Sequence, residues 1–348
     1  LSPDHPHVPA VGDQRIVSTV DRFYHPPIGS RFSSYGETKG DPVFAVRRRN
    51  NYTHYFRDEE KFGGRSKRNR INHSFSEQIP SAKYGKKHPE YYSLRDGKRL
   101  APFKRDTWKN EPCLTNPEVL RIVTAAVLKK IERYKEQWKN VSVGQNDSAN
   151  YCMCPACAAI DEREGTPMGS LLTFVNAVAD EVVLTYPDVK VGTLSYSYSR
   201  KPPKTVRPRP NVQIQLASME CCQIHPIDDP NCPKNVAFCE DLTNWGKICD
   251  DISIWTYITN FENYLLPCPN LRVIESNIRY FAANNVRAIY MQGASNAGGA
   301  ELSDLRNYMV SGLLWDPNRS GQQLMNEFLN LHYGPAAVPI RRFINLVH

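Results

Sequence analysis

The run VSVGQNDSANYCMCPAC at residues 141–157 combines a strand-like apolar segment with two kinds of reactive side chain. The apolar segment ends at Asn146 and Asp147, and three cysteines then follow within six residues. Asp147 supplies a carboxylate, which can transfer protons or stabilise a developing positive charge. The cysteines supply thiolates that can bind zinc, or thiols that can form disulfides. The run therefore raises two alternatives, a metal site and a catalytic carboxylate at the end of a strand.

A second candidate carboxylate, Glu220, follows the apolar run NVQIQLASM at residues 211–219. We expect its carboxyl to lie at the edge of an apolar wall, where the ionised form is disfavoured and a general acid is suited to neutral pH. The alternatives are an ion pair for Glu220 and a helix cap for Asp147. We predict Asp147 and Glu220 as the catalytic residues and leave open which of them is the acid.

The elements that must position these residues alternate between β-like and helical patterns. The predicted strands are 43–49, 70–75, 111–116, 141–147, 189–199, 211–221, 252–260 and 286–293. The predicted helices are 117–138, 167–185, 236–249, 270–284, 301–315, 321–332 and 335–347. Eight strand–helix repeats predict an α/β fold closed into a (β/α)8 TIM barrel. An open doubly wound sheet is the alternative, but no G-x-G-x-x-G motif follows a predicted strand.

This pattern also predicts how the chain is divided. Residues 1–40 are rich in Pro, Gly and Ser and are predicted to form an extended N-terminal arm. Residues 41–318 form the predicted barrel, and residues 319–348 form a C-terminal helical extension packed on it.

Catalytic groups of such a barrel lie at the C-terminal ends of its strands. Polar and aromatic side chains occupy those positions here, and aromatic faces with amides and carboxylates suit a sugar. The predicted substrate-binding residues are Arg48, His73, Asn146, Tyr196, His225, Tyr257, Asn260 and Gln292.

Composition and charge restrict the possible partners. The net charge of +8 is uneven, with 21 Lys and Arg against 11 Asp and Glu in residues 1–105. No recognised nucleic-acid-binding module accompanies this surplus, so we predict no nucleic-acid partner. We also predict no membrane span, because no apolar stretch approaches about 20 residues. The chain does not open with a secretory signal, and we expect that a leader could have been removed.

Cysteine and sequon usage predicts an oxidising, extracellular location. The ten cysteines are even in number, and N-x-S/T sequons occur at five positions. These sequons are at Asn51, Asn72, Asn140, Asn146 and Asn318. The pairing of the cysteines cannot be deduced from the sequence.

Several segments resemble one family of glycoside hydrolases, formerly catalogued as a domain of unknown function. The resemblance runs in order from about residue 43 to 348 and is carried by KYGKKHPEYYSLRDGKR, CLTNPEV, QNDSANYCMCPAC, FVNAVADEV, ASMEC, IWTYITNFENYLLPCPNL and LRNYMVSGLLWDPN. Characterised members are endo-β-N-acetylglucosaminidases that cut complex N-glycans. The resemblance implies a glycan or glycoprotein substrate, retention of anomeric configuration, and assistance by the substrate's 2-acetamido group.

The resemblance also bears on the cysteines and on activity. It implies that the cysteines after Asp147 brace a loop as disulfides or structural thiols. Zinc is the alternative. It is not preferred, because a structural site needs four ligands and no second C-x2-C motif is present. We therefore predict neither a metal nor a cofactor. Met291 stands where relatives often carry an acidic residue, and Cys222-Gln223 stands where they tend to carry Asp-Phe. The alternative function is therefore an inactive barrel that binds glycans or builds an extracellular matrix.

Overall fold

A computed structural model describes residues 31–33, 36–38, 46–49, 71–101, 110–135, 140–293 and 300–348. The strands described are β1 (Arg31–Ser33), β2 (Gly36–Thr38), β3 (Val46–Arg49), β4 (Leu94–Arg95), β5 (Lys98–Arg99), β6 (Asn140–Ser142), β7 (Lys190–Ser195), β8 (Val212–Ala217), β9 (Ile252–Tyr257) and β10 (Val286–Gln292). The α-helices described are α1 (Phe75–Gln78), α2 (Ser81–Tyr84), α3 (Pro117–Tyr134), α4 (Pro155–Glu164), α5 (Met168–Thr185), α6 (Pro233–Gly246), α7 (Ile274–Ala283), α8 (Ser303–Trp315), α9 (Gly321–Phe328) and α10 (Ala337–Val347).

The chain divides into two compact units. The first unit combines Leu1–Lys67, Glu220–Cys239 and Ile254–His348, and the second combines Arg68–Met219 and Glu240–Ser253. The boundaries predicted at residues 40 and 318 stay a prediction, and most of the predicted arm lies outside the described residues.

The second unit is built on parallel strands. β6 pairs with β7, with Val141 opposite Val191, and β7 pairs with β8, with Val191 opposite Val212. These three valines are at most 1% exposed, which is typical of parallel strands covered on both faces. Helices α3 and α5 supply further buried apolar residues. α3 begins as the sequence predicts, with Pro117 in its first turn and the Asn116 side chain accepting the Glu118 and Val119 amides.

The first unit also contains a parallel strand pair. β10 pairs with β3, with Ala288 opposite Val46 and Tyr290 opposite Arg48. The apolar faces of its helices are buried, among them Leu305 and Leu313 of α8 and Phe328 of α9. β9 crosses from the second unit into the first after Ser253.

Two of the eight predicted strands are wrong. Residues 71–74 run beside β6 without a strand ladder, because the Ser142 hydroxyl bonds both the amide and the carbonyl of Asn72. Residues 111–116 form a loop with one isolated bridge between Tyr92 and Pro112. The other six predicted strands are present as β3 and β6–β10. The closed (β/α)8 barrel is therefore not confirmed, and the described chain is a mixed α/β protein with parallel strand pairs.

The seven predicted helices are present with shifted ends, and three further helices of the described residues were not predicted: the four-residue helices α1 and α2, and the longer helix α4. Its apolar residues show little amphipathic pattern, and its boundaries depend on Pro155 and on Gly165, which adopts a left-handed backbone. α5 is long and apolar enough to cross a membrane, but most of it is buried, as in the core helix of a globular unit.

Candidate active site at the end of strand β6

The chain emerges from the interior of the second unit at Asp147. Gln145 and Asn146 are fully buried, whereas the side chain of Asp147 is 57% exposed. The carboxylate therefore lies just beyond the C-terminal end of β6, the position at which the sequence predicts chemistry. At such an end the backbone holds a side chain rigidly while leaving it open to a ligand.

Tyr196, at the end of the neighbouring strand β7, contacts this carboxylate. Its hydroxyl donates a hydrogen bond of 3.0 Å to Oδ1 of Asp147. A sharp turn follows, because Ser197 has φ of +53°, a left-handed conformation that costs a non-glycine residue energy. The side-chain nitrogen of Gln145 donates to the Tyr196 carbonyl at 3.1 Å, and the side-chain oxygen of Gln145 accepts a hydrogen bond from the Ser199 hydroxyl. Gln145, which the sequence analysis did not single out, therefore fixes both sides of the turn that aims Tyr196.

His73 is the third side chain at this position. Its Nδ1 lies 2.7 Å from the Gln145 carbonyl, which can only accept, so Nδ1 carries the hydrogen. Nε2 then faces Asp147, 3.9 Å from Oδ1. The imidazole also packs edge-on against the Tyr196 ring, with centroids 5.7 Å apart. The structure thus brings together three of the predicted site residues: His73, Asp147 and Tyr196.

Asn146 was predicted to contact substrate, but the structure gives it another role. Its side-chain oxygen accepts the Ser76 amide at 2.8 Å, and its side-chain nitrogen donates to the Asn110 carbonyl at 2.5 Å. Because both ends of the amide are engaged with backbone and no side-chain surface is exposed, Asn146 positions the chain before Asp147.

Glu111 is a further carboxyl that the sequence analysis missed. It is 2% exposed and accepts hydrogen bonds from the Asn146 amide (3.2 Å) and the Ser148 hydroxyl (3.1 Å). Burial raises the pKa of Glu111 to about 8, and the nearby charge of Asp147 adds to the rise. Glu111 thus binds the backbone of the residue before Asp147 and the side chain of the residue after it. The only sequence signal for it was its place at the start of a run interpreted as a strand.

Glu220, the other predicted catalytic residue, belongs to the first unit, whereas Asp147 belongs to the second. Glu220 lies in a turn beyond β8 and is exposed. The apolar wall expected beside its carboxyl stays a prediction. Its convergence with Asp147 over one sugar stays a prediction.

The remaining predicted substrate-binding residues also belong to the first unit. The Gln292 amide oxygen accepts from the Trp255 indole at 2.7 Å, and the Asn260 side chain accepts the Glu262 amide at 3.1 Å within its own turn. Tyr257 is 9% exposed, and its contact with substrate stays a prediction. His225 is exposed, with Nδ1 3.6 Å from the Cys222 sulfur. The backbone of Arg48 pairs with Tyr290 in β3.

The ten cysteines all lie in the described residues, and none of them forms a disulfide. The predicted disulfides are therefore not shown. Two groups of residues bring sulfur or nitrogen ligand atoms together. One is Cys113, Cys152, Cys154 and Cys157 in the second unit, and the other is Cys222, His225 and Cys232 in the first.

The chain belongs to the family described as "Domain of unknown function (DUF4838)", whose sequence model matches residues 1–345. No curated protein matches the chain.

Solved structures similar to this chain include several glycoside hydrolases. A family 89 glycoside hydrolase from Clostridium perfringens, in complex with PUGNAc, has a TM-score of 0.42 at 8% identity, over 65% of this chain. This chain spans 23% of that hydrolase. A Bacteroidetes-affiliated GH5 cellulase gives a TM-score of 0.41 at 9% identity, covering 69% of this chain and 72% of the cellulase. A GH5-4 endoglucanase from Bacteroides salanitronis gives 0.35 at 11%, covering 58% and 65%. Similarities this low carry no argument about function.

Proposed function

We propose that the protein is a glycoside hydrolase that cleaves β-N-acetylglucosaminide bonds in complex N-glycans, with Asp147 at the centre of its site. The observation that carries the proposal is the geometry around this carboxylate. It is exposed beyond a buried parallel strand, receives a hydrogen bond from Tyr196, and faces Nε2 of His73. The resemblance of the sequence to endo-β-N-acetylglucosaminidases gives the substrate class.

The proposed role of Asp147 follows from the chemistry of an N-acetylglucosaminide. In a retaining, substrate-assisted reaction the acetamido oxygen attacks C1, the bond from C1 to the leaving oxygen breaks, and the acetamido nitrogen gains positive charge. A carboxylate held in place can accept the N–H and stabilise that charge. Tyr196 would keep Asp147 in one orientation, since the hydroxyl of a tyrosine donates to only one carboxylate oxygen at a time.

A general acid must protonate the leaving oxygen, and the same residue, as its base, then removes a proton from the incoming water. We assign this role to Glu220 as a separate part of the proposal. Its exposed position beyond β8 leaves the carboxyl accessible to solvent. Glu220→Gln therefore tests the general acid, and Asp147→Asn separately tests the residue that stabilises the acetamido group.

We also propose an extracellular location. Of the five sequons, Asn72 and Asn318 are exposed, Asn140 and Asn146 are buried, and Asn51 lies outside the described residues. Glycosylation of the folded protein is therefore expected at Asn72 and Asn318 but not at Asn140 or Asn146. Deglycosylation of protein secreted from eukaryotic cells, followed by peptide mass mapping, tests which asparagines carry glycans. Modification at Asn140 or Asn146 would contradict the expected pattern.

The catalytic proposal is tested with a glycoprotein that carries fluorescently labelled complex N-glycans. We expect the wild type to release labelled glycan. Asp147→Asn should lower the rate by about 10²–10³-fold, the range for loss of one electrostatic stabiliser. Tyr196→Phe should lower it by about 10- to 100-fold, because hydrogen bonds to charged groups contribute about 1.5–3 kcal/mol. Glu220→Gln should lower it by about 10²–10⁴-fold if it is the acid.

Asp188→Asn is the matched control, because Asp188 is exposed just before the opposite, N-terminal end of β7. It should leave glycan release unchanged. Full activity in Asp147→Asn would refute the central role of this residue. Glycan binding without release would support the inactive, glycan-binding alternative, and the absence of both would refute a glycan-directed function.

A further inference from the structure

Four cysteines of the second unit meet in one buried cluster. Their sulfur atoms all lie within 4.8 Å of one another, and each residue is at most 6% exposed. The sulfurs of Cys113 and Cys154 are 3.6 Å apart. The members of this four-cysteine cluster are Cys113, Cys152, Cys154 and Cys157.

These distances match the size of a tetrahedral zinc site. With zinc–sulfur bonds of about 2.3 Å, the sulfurs of a regular tetrahedron are about 3.8 Å apart. The Cys113–Cys154 separation of 3.6 Å is close to that value and no sulfur pair of the cluster is more than 4.8 Å apart, so a metal ion would need only small side-chain adjustments. Four thiolates form a soft donor set, which selects zinc over the hard cations magnesium and calcium.

The fold supplies the fourth ligand that the sequence motif lacks. C-x-C-x2-C gives three sulfurs at the start of α4, with Cys157 in its first turn. Cys113 arrives from a loop 41 residues before Cys154, and its amide donates to the Tyr91 carbonyl at 2.8 Å. The Met153 amide similarly donates to the Leu94 carbonyl at 2.9 Å. Backbone hydrogen bonds therefore hold both cysteine-bearing segments in place.

Polar groups surround the sulfurs as they do in metal–thiolate sites. The Leu94 amide donates to the Cys152 sulfur at 3.3 Å, and a guanidinium nitrogen of Arg99 lies 3.9 Å from the same sulfur. The Thr115 hydroxyl lies 3.3 Å from the Cys157 sulfur. A zinc ion with four thiolates carries a net charge of −2, which such donors and the Arg99 cation offset.

We propose that the four-cysteine cluster binds one zinc ion as a structural site. All four coordination positions are taken by protein sulfurs, so no position remains for substrate and the ion takes no part in catalysis. Binding converts thiols to thiolates and releases their protons. The ion would tie the start of α4 and the loop after Asp147 to the loop that carries Cys113. This inference does not depend on the proposed hydrolase activity.

The test measures the metal content of the full-length chain, purified without chelator from cells grown with added zinc. Mass spectrometry of the metal should find one zinc ion per chain that is lost in Cys113→Ser and Cys154→Ser. Cys249→Ser, which changes a cysteine of the same unit outside the cluster, should retain it. Arg99→Met should lower zinc affinity by about 10- to 100-fold in a chelator competition, as is typical of groups that support metal ligands.

A second measurement uses the wild type alone, so it does not depend on whether the variants fold. X-ray absorption at the zinc edge of the wild type should show four sulfur neighbours at about 2.3 Å. Three results would overturn the proposal: wild-type protein without zinc, a disulfide within the cluster in peptides mapped without reduction, or zinc that is lost in Cys222→Ser but kept in Cys154→Ser. The last result would move the metal to the group of Cys222, His225 and Cys232.

Discussion

Replacement of Glu164 by glutamine tests how a buried carboxylate stabilises the second unit. The Glu164 side chain is fully buried at the end of α4. It accepts hydrogen bonds from the Thr205 amide (2.7 Å), the Thr205 hydroxyl (2.6 Å), the Val206 amide (3.0 Å) and Nε of Arg163 (3.0 Å). Burial acts to raise the pKa of Glu164, but these hydrogen bonds outweigh it and lower the pKa to about 2.

The size of the effect follows from linkage. Lowering the pKa from 4.5 to about 2 corresponds to about 3 kcal/mol of unfolding free energy, at 1.36 kcal/mol per unit. Because the folded-state pKa is depressed, this stabilisation is complete above pH 4.5 and disappears as the pH falls through 2. Glu164→Gln should therefore lower the unfolding free energy by about 3 kcal/mol at pH 7 and by about half as much at pH 3.

Urea unfolding of both proteins at pH 7, 5, 4 and 3 measures this difference. Glu162→Gln, an exposed change two residues earlier, is the control and should shift stability by less than about 0.5 kcal/mol. A loss below about 1 kcal/mol at pH 7 in Glu164→Gln, or a loss of equal size at pH 3, would refute the linkage argument.

Three further substitutions have defined outcomes in chemical denaturation. Gly192→Ala would place a Cβ in steric conflict with Cγ1 of Ile71, so we expect the unfolding free energy to fall by about 1–3 kcal/mol, and by less in an Ile71→Ala background; additive losses would contradict the clash. Asn116→Ala removes the side chain that caps α3 and should cost about 1 kcal/mol, whereas Asn116→Asp should retain most of the stability. Trp245→Phe removes the fully buried indole that donates to the Arg200 carbonyl at 2.9 Å. The Ser195 hydroxyl still donates to that carbonyl at 2.7 Å, so the lost hydrogen bond should cost about 0.5–1.5 kcal/mol; an unchanged denaturation midpoint would show that the bond contributes nothing.

Much of the secondary structure could be predicted from the sequence because it depends on neighbouring residues. The apolar runs of β7 and β8 and the helical periodicity of α3 are local patterns, and the Asn116 cap lies beside the residues it serves. The same patterns correctly located Asp147 just beyond β6. Helix α4 lacks such a pattern and was therefore not predicted.

Tertiary contacts decided what the local pattern could not. Residues 71–74 look strand-like, but the Ser142 hydroxyl, 70 positions away, takes the hydrogen bonds that a strand partner would make. Glu111 and Asn146 are joined across 35 positions, and this pairing buries one carboxyl and turns a predicted substrate contact into a positioning residue. Cys113 joins the three later cysteines only because the chain folds back.

The sequence by itself therefore determined the alternation of strands and helices, the exposed carboxylate after β6, and the presence of three clustered thiols. Only the tertiary structure decided which polar atoms face Asp147, which carboxyl is buried behind it, and that a fourth sulfur completes the cluster. The physical reason is that apolar periodicity is set by residues within one turn or strand, whereas hydrogen-bond partners and metal ligands are chosen across dozens of residues.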